Sequence, residues 1–175
     1  MRACLIATVL LLTACAGTPP RPEGAVSRVV VLGASTVSVP ASRGLVGDLS
    51  GAGGEEPRDV VAREAAGALR SRGYVVLGVE TVLGPAPTVE QASSLARQYG
   101  AEATVVLVLT RLDVSSLQPL GRAEVELESL MVGPDGRVLS SDERRAATAE
   151  SLYRARTDWR SHVRQAVVRA VRELP

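Results

Sequence analysis

The chain has 175 residues, of which 46% are hydrophobic, so it can bury the core of one ordinary domain. Its 20 basic residues are all Arg and stand against 19 acidic residues, and the net charge of +1 lacks the excess typical of nucleic-acid binding proteins. Phe is absent and aromatic residues make up only 2%, so the core must be built from Val, Leu and Ala.

Residues 1–14 are predicted to form a cleaved leader. Arg2 supplies a positive start, and a short apolar run follows it. The run is too short to span a bilayer, which requires about 20 apolar residues, but its length suits a secretory signal. Thr13 and Ala14 offer the small residues that a signal peptidase needs, so cleavage is expected between Ala14 and Cys15.

The run Leu-Thr-Ala-Cys, which ends at Cys15, resembles a bacterial lipobox. In that class of signals the cysteine thiol receives a diacylglyceryl group before cleavage, and the new N-terminus is then acylated. The resemblance implies lipid attachment at Cys15, and apart from this covalent lipid no cofactor and no metal are expected. A disulfide between Cys4 and Cys15 is the alternative, but Cys4 is lost with the leader, which leaves no pair for an internal disulfide.

The residues after Cys15 predict a tether and a location. Ala16 stands where many Gram-negative bacteria place an Asp to retain lipoproteins in the inner membrane, so the outer membrane, facing the periplasm, is favoured. Residues 15–26 are rich in Pro and should be extended, with a reach of roughly 30 Å at about 3.1 Å per residue.

A single α/β domain is predicted for residues 27–175. It opens with an apolar strand over residues 27–32, and a flexible Gly/Ser-rich loop is expected over residues 40–57. The apolar spacing over residues 58–72 predicts a helix, and the residues 74–77 predict the next strand.

The middle of the chain predicts a capped helix followed by a central strand. Thr88 and Gln91 have the spacing of a capping box, and Gly100 is placed to end the helix. Residues 103–109 are apolar without alternation, which is typical of a strand covered on both faces.

The last third predicts a hairpin and a final helix. Residues 122–131 alternate between apolar and polar, which predicts a strand with one solvent-exposed face. A turn predicted over residues 133–136 leads to the strand from Arg137. The segment 142–156 is compatible with strand or helix. Asp158 is predicted to begin a helix, whose apolar stripe contains Trp159, Val163, Ala166, Val167, Ala170 and Leu174.

The resulting order β-α-β-α-β-β-β-α predicts an α/β (α+β) fold with one mixed sheet of about five strands. Helical crossovers make the first three strands parallel, the hairpin adds two antiparallel strands, and the helices are expected mainly on one face.

This order resembles the small α/β domain of TolB N-terminal domains and of CsgG-type and LpoB-type envelope lipoproteins. The likeness rests on RVVVLG, on RSRGYVVLGVE, and on ARQYGAEATVVLVLTRLDV with GPDGRVLSS after it. A Gly-Ala-Asp triplet commonly precedes the central strand in that family, whereas Glu102 takes the place of the Asp here. The resemblance implies a partner-binding role in the envelope.

No catalytic constellation is recognisable in the sequence. His162 is the only histidine, so neither a metal site nor a triad is indicated, and a position at a helix boundary is favoured. The triplet Gly33–Ser35 lacks the pattern of a nucleophile elbow, and the Gly-rich stretch 51–54 lacks the Lys of a phosphate-binding loop. The chain is therefore predicted not to be an enzyme.

Charged residues offer the candidates for partner binding. Glu124, Glu126 and Glu128 alternate on one strand face, which is either a solvated face or a docking face for a partner that carries Arg. Arg160 and Arg164 on the final helix are the basic candidates.

Together these features predict an outer-membrane lipoprotein that is an accessory or scaffold subunit of an envelope assembly, secretion or transport system. The alternative is the lipoprotein component of a lipid or solute transporter that binds an acyl ligand. The expected partners are the membrane, through the lipid anchor, and an envelope protein, with no nucleic acid. A homo-oligomer stays open.

Overall fold

The computed structural model describes residues 26–37, 55–115, 122–149 and 158–175. The leader, Cys15 and the tether up to its last residue lie outside the described residues. The described elements follow the predicted order: β1 (Arg28–Ser35), α1 (Pro57–Ser71), β2 (Val75–Leu83), α2 (Val89–Tyr99), β3 (Ala103–Asp113), β4 (Arg122–Val132), β5 (Val138–Ala149) and α3 (Trp159–Arg172).

The described strands form one mixed sheet in the order β2-β1-β3-β4-β5. β1 pairs in parallel with β2 and β3, whereas β4 is antiparallel to both β3 and β5. The first three strands are parallel because α1 and α2 return the chain to the same end of the sheet. β3 is in the middle and is buried from Ala103 to Leu109. The predicted fold class and the central strand are confirmed.

Two helices cover one face of the sheet and one covers the other. α1 and α3 pack against each other and against the odd-numbered residues of β3, such as Val105 and Leu107, in the larger part of the core. α2 lies on the opposite face over Leu32, Ala34 and Val106. The prediction that the helices lie mainly on one face is therefore confirmed.

Several element boundaries differ from the sequence prediction, and three of the differences have a clear physical reason. β5 continues through the ambiguous segment to Ala149 because it pairs with β4 along its whole length. β2 extends to Leu83, beyond the predicted 74–77, because its pairing with β1 continues that far. α1 begins at Pro57, the last residue of the predicted loop, since Pro suits the first turn of a helix. The rest of that loop, through residue 54, lies outside the described residues.

Local signals in the sequence are confirmed where they set the ends of α2. The Thr88 hydroxyl accepts from the Gln91 backbone N–H at 3.3 Å, and the Gln91 side chain accepts from the Thr88 N–H at 2.9 Å. Gly100 ends the helix in the left-handed conformation, at φ 60°. The helix is thereby held over the sheet at both ends.

β1 and α1 approach each other most closely at Gly33. A Cβ atom placed there would lie 2.6 Å from the Ala62 Cβ and 2.7 Å from the Arg58 carbonyl oxygen. The carbonyl oxygen belongs to the helix backbone and cannot move alone, so this contact sets how near α1 can lie to the sheet. Gly33, the first residue of the triplet Gly33–Ser35, is thus a packing glycine, and the Ser35 hydroxyl donates to the Val37 carbonyl at 2.7 Å.

We expect Gly33→Ala to destabilise the domain by about 1–3 kcal/mol, because the added methyl group forces α1 away from the sheet. Gly67→Ala is the matched control, since Gly67 lies on the exposed side of α1 with nothing within 4 Å of an added Cβ. The control should stabilise by about 0.5–1 kcal/mol through helix propensity. Urea unfolding of both variants measures the difference, and equal effects would contradict this account of Gly33.

Glu102 fastens the start of β1 to the start of β3. Its Oε2 atom accepts from the Ser27 N–H at 2.7 Å and from the Arg28 N–H at 3.2 Å, and its Oε1 atom accepts from the Arg28 Nε at 3.1 Å. The Glu102 N–H in turn donates to the Arg28 carbonyl at 2.8 Å. The acidic residue before the central strand therefore holds the point where the predicted tether joins the domain.

These bonds stabilise the ionised carboxylate. The backbone N–H groups of Ser27 and then of Arg28 lower the pKa of Glu102 from 4.5 to about 2. A lowered pKa in the folded state means that the ionised carboxylate stabilises the fold above pH 4.5, and that this contribution is lost as the pH falls toward 2.

We expect Glu102→Gln to lower the free energy of unfolding by about 1 kcal/mol at pH 7, a discounted value because the side chain is 38% exposed and screened by solvent. The difference in unfolding free energy between variant and wild type should narrow between pH 4.5 and 3, because the Glu102 carboxyl of the unfolded wild-type chain takes up a proton in this range while the folded one stays ionised. Glu56→Gln is the control, because Glu56 makes no capping bond to α1. A gap that is independent of pH would contradict the role of the charge.

Candidate partner-binding surface

The face of the sheet that carries α2 is covered only in part. α2 packs on β1, on β3 and on the end of β4, where Leu130 and Val132 contact the smaller core cluster. Earlier in β4 the predicted alternation is present: Ala123, Val125 and Leu127 are buried, on the side of the strand on which α3 packs, and the intervening glutamates face the other way. The row Glu124, Glu126 and Glu128 therefore lies on the uncovered part of the sheet.

The three glutamates of this row have different surroundings. Glu124 is neutralised in part, because the Arg111 guanidinium lies 3.3 Å from its Oε2 atom. Glu128 is directly opposite Glu143 in the β4–β5 pairing, and both are exposed. Like charges in directly opposed positions of two strands repel each other. The acidic end of the row is therefore the Glu128–Glu143 pair.

A groove of about 340 Å³ opens beside this pair. Its apolar lining comes from Val106 and Val108 of β3 and from Leu130 of β4, and the loop before α2 adds the wall. Glu128 and Glu143 lie at its rim. The complete lining is Ala86, Pro87, Val106, Val108, Glu128, Ser129, Leu130, Ser141, Asp142 and Glu143. We call this feature the acidic groove.

The acidic groove combines an apolar floor with carboxylates at the rim. This combination suits an Arg or Lys side chain, whose methylene stem can lie on the valines while its charged head bonds to the glutamates. Such a contact also removes the repulsion between Glu128 and Glu143.

The basic candidates lie elsewhere in the fold. Arg164 forms two bonds with Glu64 of α1, at 2.9 Å from Nε and 3.3 Å from Nη2. Arg160 lies 3.4 Å from Glu55 and stacks over the Trp159 ring at 5.0 Å. Both arginines therefore link α3 to α1 and its N-terminal flank, on the face of the sheet opposite to the glutamate row, and the two sets do not form one site.

His162 is the fourth residue of α3, so it lies close to the start of the helix, as predicted. Its side chain is fully buried on the first turns of α3, beside Val163 in the apolar stripe. Within residues 26–37, 55–115, 122–149 and 158–175, no group of three His, Cys, Asp or Glu side chains is placed to hold a metal ion. None of the helices described is long and apolar enough to cross a membrane.

Sequence reasoning missed Glu143 and Ser141 as neighbours of the glutamate row. The hairpin turn was recognisable, but counting residues from it places Asp142 opposite Glu128, because the register of the two strands shifts by one residue between Met131 and Val132. The charged run after Asp142 gave no alternation from which to extend the strand.

No protein-family model matches the chain, and no curated protein is significantly similar to it. Three solved structures have a similar arrangement at low identity. PelC from Paraburkholderia phytofirmans, solved as a dodecamer, is 14% identical over 83% of this chain and 85% of its own, with a TM-score of 0.49. Hypothetical protein CT253 from Chlamydia trachomatis is 11% identical over 84% and 94%, with a TM-score of 0.49.

The third is lipoprotein GNA1162 from Neisseria meningitidis, which is 13% identical over 84% of this chain and 97% of its own, with a TM-score of 0.44. At this degree of likeness, the comparison does not show that the present chain assembles like PelC or is a lipoprotein like GNA1162.

Proposed function

We propose that this chain is a lipid-anchored subunit of an envelope assembly, held at the outer membrane through Cys15 and facing the periplasm. It has no catalytic role in this proposal and acts by binding another envelope protein. The lipobox that ends at Cys15 supports the anchor, and the acidic groove supports the binding role. The groove is the single observation that carries the function, since it is a preformed concave site with a defined charge.

The partner in this proposal presents a basic side chain, and most simply an Arg on an exposed segment. A guanidinium can bond to Glu128 and Glu143 together, and it is the weakly hydrated cation best suited to a partly apolar site. A fatty acid fits the groove less well, because its own carboxylate would meet the two glutamates at the rim. Only the apolar floor favours the alternative function, in which the protein is the lipoprotein component of a lipid transporter and binds an acyl ligand in the groove.

The anchor is tested by replacing Cys15. We expect Cys15→Ser to abolish incorporation of radiolabelled palmitate and to leave the leader uncleaved, because the thiol is the acceptor of the lipid. Cys4→Ser is the matched control and should be labelled like the wild type, since Cys4 leaves with the leader. Labelled Cys15→Ser protein would overturn the anchor.

The partner is tested by crosslinking in intact cells from a photoreactive residue at position 141, on the rim of the acidic groove. We expect adducts with a distinct envelope protein, identified by mass spectrometry. Combined Glu128→Arg and Glu143→Arg substitutions should reduce these adducts roughly tenfold or more, because the rim then repels a basic partner.

A photoreactive residue at position 67, on the exposed side of α1, is the control and should not capture the same protein. Adducts only at multiples of the chain's own mass would assign the groove to a second copy instead. The absence of adducts from position 141 would contradict the binding role.

A further inference from the structure

The topology of the sheet brings many chain ends to one end of the domain. Arg28 pairs with Val75, Val29 pairs with Ala103, and Val132 of β4 is opposite Val138 of β5. Four strands therefore begin and one ends along a single edge. We call this edge, with the helix ends beside it, the tether end, because the predicted tether leads into β1 there.

The C-termini of the helices lie at the tether end as well. Arg97 in the last turn of α2 donates to the Pro134 carbonyl in the β4–β5 turn at 2.6 Å. The Arg72 guanidinium, just after α1, donates to the Val171 carbonyl in the last turn of α3. These contacts join α2 to the hairpin turn on one face of the sheet and α1 to α3 on the other, and all of these ends lie at the same end of the domain.

The tether end is basic for a physical reason. Cations are favoured at helix C-termini, where the backbone carbonyls concentrate negative potential, and each helix has arginine in its last turn. Strand residues add more arginine. The arginines of the tether end are Arg28, Arg70, Arg72, Arg97, Arg137, Arg169 and Arg172. They outnumber the carboxylates there, which are Glu102, Asp135 and Glu173, and the Glu102 carboxylate is paired with Arg28.

The same region holds the exposed apolar side chains. The described residues include five large apolar side chains that are exposed, at 36% to 53%, and all five lie in the first halves of the two edge strands, β2 and β5. They are Val75, Leu77, Val79, Val138 and Leu139. They form two separate patches, on the two outer strands of the sheet and on either side of the arginines, and exposed apolar patches are typical of interaction sites.

We propose that the tether end docks on the surface of an anionic lipid membrane. The arginines contact phosphate groups, and the apolar side chains at the beginning of β2 and β5 enter the boundary between headgroups and acyl chains. This proposal rests on the proposed anchor, because a lipid at Cys15 and a tether that joins the domain at this end keep the tether end within roughly 30 Å of the bilayer.

A second copy of the chain is a less suitable occupant of this surface. Two copies in contact through their tether ends would bring the two sets of arginines together, and like charges oppose such a contact. Anionic phosphate groups neutralise the arginines instead. Charge therefore favours the membrane.

The test uses the chain from Ala16 onward without lipid, which retains all described residues, and vesicles of phosphatidylcholine with or without phosphatidylglycerol. We expect binding to the anionic vesicles that weakens with salt. Combined Arg70→Gln, Arg137→Gln and Arg172→Gln substitutions should lower the partition coefficient on the order of 100-fold. The matched control neutralises Arg63, Arg111 and Arg122, which lie away from the tether end, and should bind like the wild type.

Three results would overturn the proposal. The first is equal binding to neutral and anionic vesicles, or binding to neither. The second is a control variant that loses as much vesicle binding as the tether-end variant. The third is a tether-end variant whose sedimentation changes while its vesicle binding does not, which would identify a protein interface. This assay does not depend on Cys15, so a failed anchor and a failed docking surface are distinguishable. Palmitate labelling reports on the first and vesicle binding on the second.

Discussion

The rest of the structure depends on the parallel pairing of β1 between β2 and β3. Two parallel neighbours require two helical crossovers, and α1 and α2 supply them on opposite faces of the sheet. This arrangement sends the first two helices toward the same end. α3 ends there too, because it returns from β5, which runs in the same direction as β3. The accumulation of helix C-termini, and of the arginines that suit them, follows from this topology.

The two faces of the sheet differ because their helices cover different areas. α1 and α3 together cover the inner residues of β1, β3 and β4, and the ion pairs between Arg164 and Glu64 close that layer from outside. α2 has only 11 residues and ends over the first part of β3. The acidic groove exists because no described helix covers the middle of β4 and β5 on that side. A short helix therefore leaves the concave surface on which the proposed function rests.

Signals that act over a few residues could be predicted from the sequence. The capping box of Thr88 and Gln91, the turn before Arg137 and the N-cap at Asp158 each combine a backbone need with a side chain that meets it nearby. Hydrophobic periodicity also predicted the burial of β3 and the alternation of β4, since both follow from which faces are covered.

Contacts between distant residues could not be predicted in this way. The Glu102 carboxylate bonds to residues 27 and 28, which are about 75 positions away in the chain, and its place in the triplet before the central strand does not indicate these partners. The pairing of Glu128 with Glu143 likewise depends on how far β5 continues. The burial of His162 could not be predicted either, because a polar side chain in an apolar stripe gives no sign of its depth, which is set by how closely α3 packs in the core. The bonds of Glu102, the Glu128–Glu143 pair and the burial of His162 could thus be recognised only in the tertiary structure.

The positions of the two proposed surfaces are compatible with simultaneous use. The tether end is formed by the first residues of β1, β2, β3 and β5. The groove instead lies at Val108 and Glu128, midway along β3 and β4. It is bounded by the loop that leads into the N-terminus of α2. A domain docked through its arginines would therefore direct the groove sideways and away from the bilayer. The opposite charges of the two surfaces also separate their ligands: phosphate groups are repelled by Glu128 and Glu143, and a basic partner is repelled by the tether end. Charge alone can thus orient the domain so that lipid binding leaves the groove open to a protein in the periplasm.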